Sequence, residues 1–225
     1  MSWAAPRMWD GGRCFIIGGG PSMPRQFSIP DEIVAGVRSG EVGPDAYSPF
    51  MEPIHGEHVI GVNNAYQIGT WIDVCLFGDC SWYLVYREQL AKWPNLKVGC
   101  CHGSPDYLDP DGIKYLPRDK AKKVGIGINP GKLSWGYNSG TAAINLAAHF
   151  GVRQIILLGF DMSHPDAQTT HWHKGHGHPR KSYKRFLRGF PAIAADAAAL
   201  GIEILNASHN SSIAQFRKVL LEELL

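Results

Sequence analysis

Four histidines lie within eight residues of one another, in the run HWHKGHGHP. An imidazole titrates near neutral pH, so it can act as a general base that removes a proton from a substrate. Alternate spacing can also place two rings on one side of an extended chain, as a metal site requires. A solvated polar loop is the third interpretation. The four are His171, His173, His176 and His178.

The glycines of this run argue against a metal. They predict a mobile loop, whereas three imidazoles around one ion need firm support from surrounding groups. The sequence has no H-E-x-x-H motif and no cysteine near the run. We therefore expect no bound metal and no other cofactor, and we interpret the run as the source of a general base.

A buried strand leads into this run. QIILLGF (154–160) is continuously apolar, as in a strand covered on both faces, and Asp161 follows it directly. GTAAINLAAHFG (140–151) predicts a helix over 139–150. Ser139 is interpreted first as its N-cap, and the N–H groups that the helix start exposes could also hold a phosphate. The residues at that start are Asn138, Ser139 and Gly140.

A glycine-rich turn follows the first predicted strand. CFIIG (14–18) runs into GGGPS (18–22), where the last glycine of G-x-G-x-x-G is replaced by Met23. The turn also lacks the Gly-Lys-Ser/Thr of a P-loop. It predicts either backbone N–H groups that approach an anion or a connecting turn without a ligand. Its residues are Gly18, Gly19, Gly20, Pro21 and Ser22.

Polar residues follow two further predicted strands. Asn63 and Asn64 come after HVIGV (58–62), and Asp79 ends DVCLFGD (73–79). Asparagine offers both a donor and an acceptor, which suits a sugar hydroxyl or a nucleobase edge. Each of these could be a simple turn residue. Together with the glycine-rich turn and Asp161 they predict a binding site beyond the carboxyl ends of the strands.

The alternation of strands and helices predicts an α/β fold with a Rossmann-like parallel sheet and helices on both faces. We expect one domain over 1–225, with an irregular loop or flap at 102–137 and a C-terminal amphipathic helix over 212–225. The predicted strands span 14–18, 58–62, 73–79, 96–101, 154–160 and 202–208.

The composition excludes several classes of protein. A formal net charge of +2 is too small to indicate a nucleic-acid-binding protein. No apolar run approaches the roughly 20 residues that span a bilayer, and no signal peptide is recognisable. Five cysteines without a C-x-x-C pair predict neither a disulfide framework nor a thiolate zinc site. We expect a cytoplasmic protein.

A basic stripe follows the histidines at helical spacing. Such a stripe is usually a solvated helix face, but beside a phosphate site it could hold a pyrophosphate or an acidic acceptor. Its members are Arg180, Lys181, Lys184, Arg185 and Arg188.

The order of these motifs resembles a known family. IIGGGPS, VNNAY, LFGD, NSG, INLA, QIILLGFDM, H-x-x-x-G-H and EILNAS follow one another along nearly the whole chain. This series resembles the bacterial sialyltransferases of glycosyltransferase family 42, and also a broader group related to 6-hydroxymethylpterin diphosphokinase. The resemblance implies a Rossmann-like fold and transfer from a nucleotide-activated sugar without a metal.

The resemblance also implies roles for particular residues. The positions that bind the activated sugar in those enzymes match Gly18–Ser22, Asn63, Asp79 and Ser139. The family's general base is a histidine preceded by glycine. His176 matches it best, and His178 is the alternative.

Some positions depart from the family's pattern. Gly19 and Asp79 stand where the sialyltransferases have asparagine, and an aspartate would repel a donor carboxylate. Ser163 replaces the first of two tyrosines that assist the leaving phosphate. Lys174, Arg180 or Lys181 could supply that positive charge instead. The departures argue against sialic acid as the donor sugar.

The sequence therefore favours a glycosyltransferase that uses a nucleotide-activated donor, an acceptor hydroxyl and His176 as base. One alternative is pyrophosphoryl transfer to a pterin-like alcohol, with Asp79 and Asp161 as ligands of Mg²⁺. Another is a nucleotide-binding module without catalytic activity.

Overall fold

The computed structural model describes residues 3–101, 111–163, 170–174 and 183–225. Within them, one eight-stranded sheet has the order β5-β4-β3-β2-β1-β6-β7-β8, and every neighbouring pair of strands is parallel. The strands are β1 (Arg13–Ile17), β2 (His58–Val62), β3 (Val74–Phe77), β4 (Leu96–Gly99), β5 (Lys114–Tyr115), β6 (Gln154–Leu158), β7 (Glu203–Asn206) and β8 (Arg217–Lys218).

The strand order reverses next to β1. The chain moves outward from β1 to β5 on one side, then returns to place β6 against the other side of β1. The connections after β1 and β6 lead to opposite faces of the sheet, which places a topological switch point beyond the carboxyl ends of these two strands. Ligands of open α/β sheets bind at such a switch point.

Helices cover both faces of the sheet. They are α1 (Met23–Gln26), α2 (Asp31–Ser39), α3 (Cys80–Lys92), α4 (Ser139–Phe150), α5 (Lys184–Leu187) and α6 (Phe190–Leu200).

Each face has its own apolar core. Phe15 and Ile17 of β1 pack with α2 and α3, whereas Cys14 and Ile16 pack with α4 and α6. This alternation follows from the period of two residues along a strand. The predicted Rossmann-like parallel sheet is confirmed.

The predicted C-terminal helix is wrong. Residues 217–218 instead form β8, which pairs with β7, and a short 3-10 helix follows at Leu221–Glu223. Ile213 and Phe216 pack on one face of the sheet, while Val219 and Leu221 pack on the other. One straight helix could not bury both pairs, so the segment crosses the sheet edge as an extended chain.

Part of the predicted irregular region is well anchored. Asn145 in α4 is fully buried, and its side-chain oxygen accepts the Ser134 N–H at 2.7 Å. Its amide also donates to the Gly127 carbonyl at 2.9 Å. These bonds fix the chain before α4, and thereby the segment that begins the helix.

None of the helices in the described parts of the chain has the length and apolar composition needed to cross a membrane.

Candidate functional site

A cleft of about 250 Å³ lies at the switch point between β1 and β6. This volume is slightly below the range for small-ligand sites, roughly 300–1,000 Å³. Most of the predicted binding residues line it, although they come from five separate parts of the chain. They are Gly19, Gly20, Asn63, Asp79, Asn138, Ser139, Gly140 and Asp161.

Four predicted binding residues do not line the cleft: Gly18, Pro21, Ser22 and Asn64. The Gly18 carbonyl accepts the indole N–H of Trp172 at 2.8 Å. The Asn64 side-chain oxygen accepts the indole N–H of Trp82 at 2.6 Å, and Asn64 is buried. These two residues support the walls of the site.

The glycine-rich turn uses most of its N–H groups within the protein. Those of Gly18 and Gly20 donate to carbonyls at the end of β6 and just beyond it, at 2.7 and 2.8 Å. The Ser22 N–H donates to Asp161 Oδ2 at 3.1 Å. A side chain at Gly20 would overlap the Asp161 carboxylate. The turn is therefore glycine-rich because the protein's own carboxylate approaches its backbone closely.

The start of α4 is differently arranged. Asn138 is its N-cap and accepts the Thr141 N–H at 2.9 Å. Among the described residues, the N–H groups of Ser139 and Gly140 have no hydrogen-bond acceptor. The side-chain nitrogen of Asn138 is buried, and no acceptor for it lies within the described residues. Such a helix start favours an anion, because its N–H groups carry partial positive charge.

Backbone strain is concentrated around the cleft. Four non-glycine residues of the described chain have left-handed φ, and three of them line the cleft: Asn63 (φ 53°), Tyr137 (φ 74°) and Met162 (φ 48°). Such conformations cost about 1–3 kcal/mol each and persist where surrounding structure imposes them. The Asn63 side-chain oxygen is also buried, without a donor within the described residues.

Two of the four clustered histidines line the cleft. His171 and His173 lie against Gly19, and their ring centroids are 5.4 Å apart. His173 is buried, and its Nδ1 lies 2.9 Å from the Lys174 carbonyl. A carbonyl only accepts, so Nδ1 carries the proton and Nε2 is the basic nitrogen of the neutral ring. His176 and His178 lie outside the described residues.

Asp79 and Asp161, the acidic residues of the described cleft lining, differ in their surroundings. Asp79 is the N-cap of α3, and its Oδ1 accepts the Ser81 N–H at 3.0 Å. Asp161 is buried, and this burial raises the pKa of its carboxyl, while the hydrogen bond from Ser22 lowers it. In the described parts of the chain, no group of three His, Cys, Asp or Glu residues could hold a metal ion.

Of the three residues that could supply positive charge to the leaving phosphate, Lys174 packs against Gly40 at the end of α2 and does not line the cleft. Arg180 and Lys181 lie outside the described residues. The cleft is also lined by aromatic residues that no periodicity in the sequence connects with the strand ends. They are Trp82, Tyr137, Tyr183 and Phe186.

No protein-family model matches this sequence, and no curated protein matches it. Among solved structures, the MAf glycosyltransferase from Magnetospirillum magneticum AMB-1 aligns with 100% of the chain, with a TM-score of 0.61 and 14% identity. The chain spans only 36% of that protein. The sialyltransferase CstII from Campylobacter jejuni, in complex with cytidine-5'-monophosphate, aligns with 94% of this chain and 86% of its own, with a TM-score of 0.49 and 12% identity. At 14% identity, the likeness to the MAf glycosyltransferase shows a shared α/β fold.

Proposed function

We propose that this protein transfers a glycosyl group from a nucleotide-activated donor to an acceptor hydroxyl. One observation carries the proposal. The cleft joins the open start of α4 to two asparagines, Asn63 and Asn138, whose buried polar atoms have no partner within the described residues. A ligand with phosphate and hydroxyl groups would satisfy all of these. The fold shared with a MAf glycosyltransferase supports the same activity.

In the proposed complex, the start of α4 holds a phosphate of the donor. Ser139 and Gly140 offer backbone N–H groups, and Asn138 offers its side-chain N–H₂. These donors gain importance as the bond between the sugar and the phosphate oxygen breaks, because negative charge then grows on that oxygen. The aromatic rings of Trp82 and Tyr137 supply apolar surface for the base or the sugar.

The acceptor must lose a proton during the transfer. A general base takes that proton, the acceptor oxygen bonds to the anomeric carbon, and the nucleotide leaves with its phosphate. We propose His176 for this role, with His178 as the alternative, on the basis of the sequence resemblance. His173 is a further candidate, because it lines the cleft and its basic nitrogen is Nε2.

The basic residues of α5 and the arginine that follows it favour an acidic acceptor. Lys184, Arg185 and Arg188 are exposed, and the Arg185 guanidinium lies 5.4 Å from the centroid of the Tyr137 ring, which lines the cleft. Because all five cysteines are free thiols, we also propose a reducing, cytoplasmic location.

A thermal-shift screen tests the binding step. Nucleotides and nucleotide sugars, each at about 100 times its dissociation constant, should stabilise the folded protein by about 2.7 kcal/mol. The screen is run with and without Mg²⁺, because Asp79 and Asp161 line the same cleft and a magnesium-dependent pyrophosphoryl transfer would need both. The absence of stabilisation by every nucleotide would contradict the proposal.

Release of nucleotide from the identified donor tests the base, since water can replace the unknown acceptor. His176→Ala should lower the rate about 10²–10⁴-fold and leave nucleotide affinity unchanged. His178→Ala and His173→Ala are measured beside it, and a comparable loss in one of them would move the role to that residue. His209→Ala, an exposed histidine outside the cleft, is the control. Full activity in the His173, His176 and His178 variants would contradict a general base from this histidine cluster.

A further inference from the structure

A buried carboxylate faces the cleft and is only partly satisfied by the protein. Asp161 is 5% exposed and lines the cleft. Its Oδ2 accepts the Ser22 N–H at 3.1 Å, whereas the described residues provide no hydrogen-bond donor from another residue to its Oδ1. A carboxylate has about four acceptor positions. The bound ligand is thus expected to bring hydrogen-bond donors to Asp161.

The described wall of the cleft carries carboxylates but no lysine or arginine. It contains the carboxylates of Asp161 and Asp79, and no lysine or arginine within the parts of the chain that the structure describes. Like charges that face each other across an interface cost several kcal/mol, which is more than about 100-fold in affinity. A second carboxylate placed next to Asp161 would therefore be strongly disfavoured.

The start of α4 and Asp161 line the same cleft. The ring of Phe160 packs beside the helix start, because a side chain at Gly140 would meet this ring at 2.8 Å. A donor whose phosphate lies at the start of α4 and whose sugar reaches Asp161 would span the cleft. The carboxylate is placed to accept hydrogen bonds from that sugar.

We propose that Asp161 determines donor specificity: it accepts hydrogen bonds from hydroxyl or amino groups of the donor sugar and excludes sugars that carry a carboxylate. This inference rests on the proposed function. Its substrate class is a nucleotide-activated neutral or amino sugar.

Calorimetric titration of the purified chain tests this directly. UDP-glucose and UDP-glucuronate form a matched pair that differs only in a carboxylate, and GDP-mannose and CMP-N-acetylneuraminate extend the set. Each is compared with its parent nucleotide, UDP, GDP or CMP. The neutral sugar on the preferred nucleotide should bind more tightly than the parent. Every carboxylated sugar should bind more weakly than its parent, and about 100-fold more weakly than a neutral sugar on the same nucleotide.

Asp161→Asn removes the charge but keeps an oxygen that can accept the Ser22 N–H. It should weaken the neutral donor about 10-fold and bring the carboxylated donor to within about 10-fold of it. Asp73→Asn is the control, since Asp73 is a half-buried carboxylate outside the cleft whose Oδ2 accepts the Val59 N–H at 2.8 Å. It should leave all the affinities unchanged.

The outcomes separate this inference from the proposed function. If no nucleotide binds, both are overturned. If nucleotides bind but a carboxylated sugar binds more tightly than its parent, only the role of Asp161 is overturned. The same holds if attached sugars change no affinity by more than about threefold. Should Asp161→Asn fail to fold, the affinities of the wild-type protein for neutral and carboxylated sugars still test whether carboxylated donors are excluded.

Discussion

The glycine-rich turn after β1 and the start of α4 both resemble phosphate sites in the sequence, yet they differ in the fold. Most of the N–H groups in the turn bond to the protein itself, and Asp161 packs against Gly20. At the start of α4, two backbone N–H groups and the Asn138 side-chain nitrogen have no acceptor within the described residues. The turn therefore positions a carboxylate, whereas the helix start offers more unpaired donors to an anion within the described residues.

The comparison shows what a glycine motif does and does not imply. Glycine indicates that something approaches the backbone closely. It does not say whether a ligand or the protein's own side chain does so. At Gly20 the close neighbour is Asp161, and φ lies outside the left-handed region, so the steric demand comes from contact rather than from backbone conformation.

The largest expected effect is a loss of stability in Gly20→Val. The new side chain would overlap the Asp161 carboxylate and the Gly159 carbonyl, neither of which can move without breaking hydrogen bonds. Overpacking of this kind costs about 1–3 kcal/mol or more, which urea denaturation would show. Gly56→Val is the control, because nothing lies within 4 Å of a side chain there, and its effect should stay within about 0.5 kcal/mol. A Gly20→Val protein as stable as the wild type would show that the turn has free space for a ligand.

A medium effect is expected in Asn138→Ala. The change removes the N-cap of α4, which costs about 1 kcal/mol of stability, and it removes one donor to the phosphate, which should weaken nucleotide binding about 10-fold. Asn95→Ala is the matched control: it loses hydrogen bonds to the Thr70 and Ile72 carbonyls, outside the cleft. It should lower stability to a similar degree and leave affinity unchanged. Equal nucleotide affinities in the two variants would contradict phosphate binding at the start of α4.

The smallest effect is a pH-dependent gain of stability in Asp161→Asn. Burial raises the pKa of Asp161 in the folded state above its ordinary value of 3.8. Between these two pKa values the folded protein keeps a proton that the unfolded chain releases, so its stability falls as pH rises through this window.

Asp161→Asn has no carboxyl group at this position, so it should not lose stability as the pH rises through this window. The variant should match the wild type below about pH 3.8 and exceed its stability at neutral pH, by an amount within the roughly 0.5–2 kcal/mol of common stabilising substitutions. Urea denaturation at several pH values measures the difference. An equal gain at all pH values would show that the charge of Asp161 is not its cause.

The strand ends could be predicted because parallel strands place their carboxyl ends at one edge of the sheet. Asn63, Asp79 and Asp161 thus reach one cleft from separate segments. Which atoms point into it depends on tertiary contacts. Asn64 is adjacent to Asn63, but its side chain bonds to Trp82.

The aromatic lining of the cleft and the C-terminal segment could not be predicted, because tertiary contacts decide both. Phe186 reaches the cleft from a helix of only four residues, and Tyr183 is the N-cap of that helix. So short a helix has too little periodicity to indicate a buried face. Residues 212–225 have helical spacing, but the free edge of β7 pairs with residues 217–218 instead. The local sequence favours a helix here, but hydrogen bonds to the edge of β7 favour a strand, and that edge exists only once the sheet has folded.

The most direct test of the account is a nucleotide titration followed by amide-resolved NMR on the 225-residue chain. The preferred nucleotide from the thermal-shift screen is added to isotope-labelled protein. If its phosphate binds at the start of α4, the amide signals of Ser139 and Gly140 should shift most, whereas those of Gly18 and Gly20, already bonded within the protein, should shift little. The largest shifts at Gly18 and Gly20, with Ser139 and Gly140 unchanged, would contradict the account.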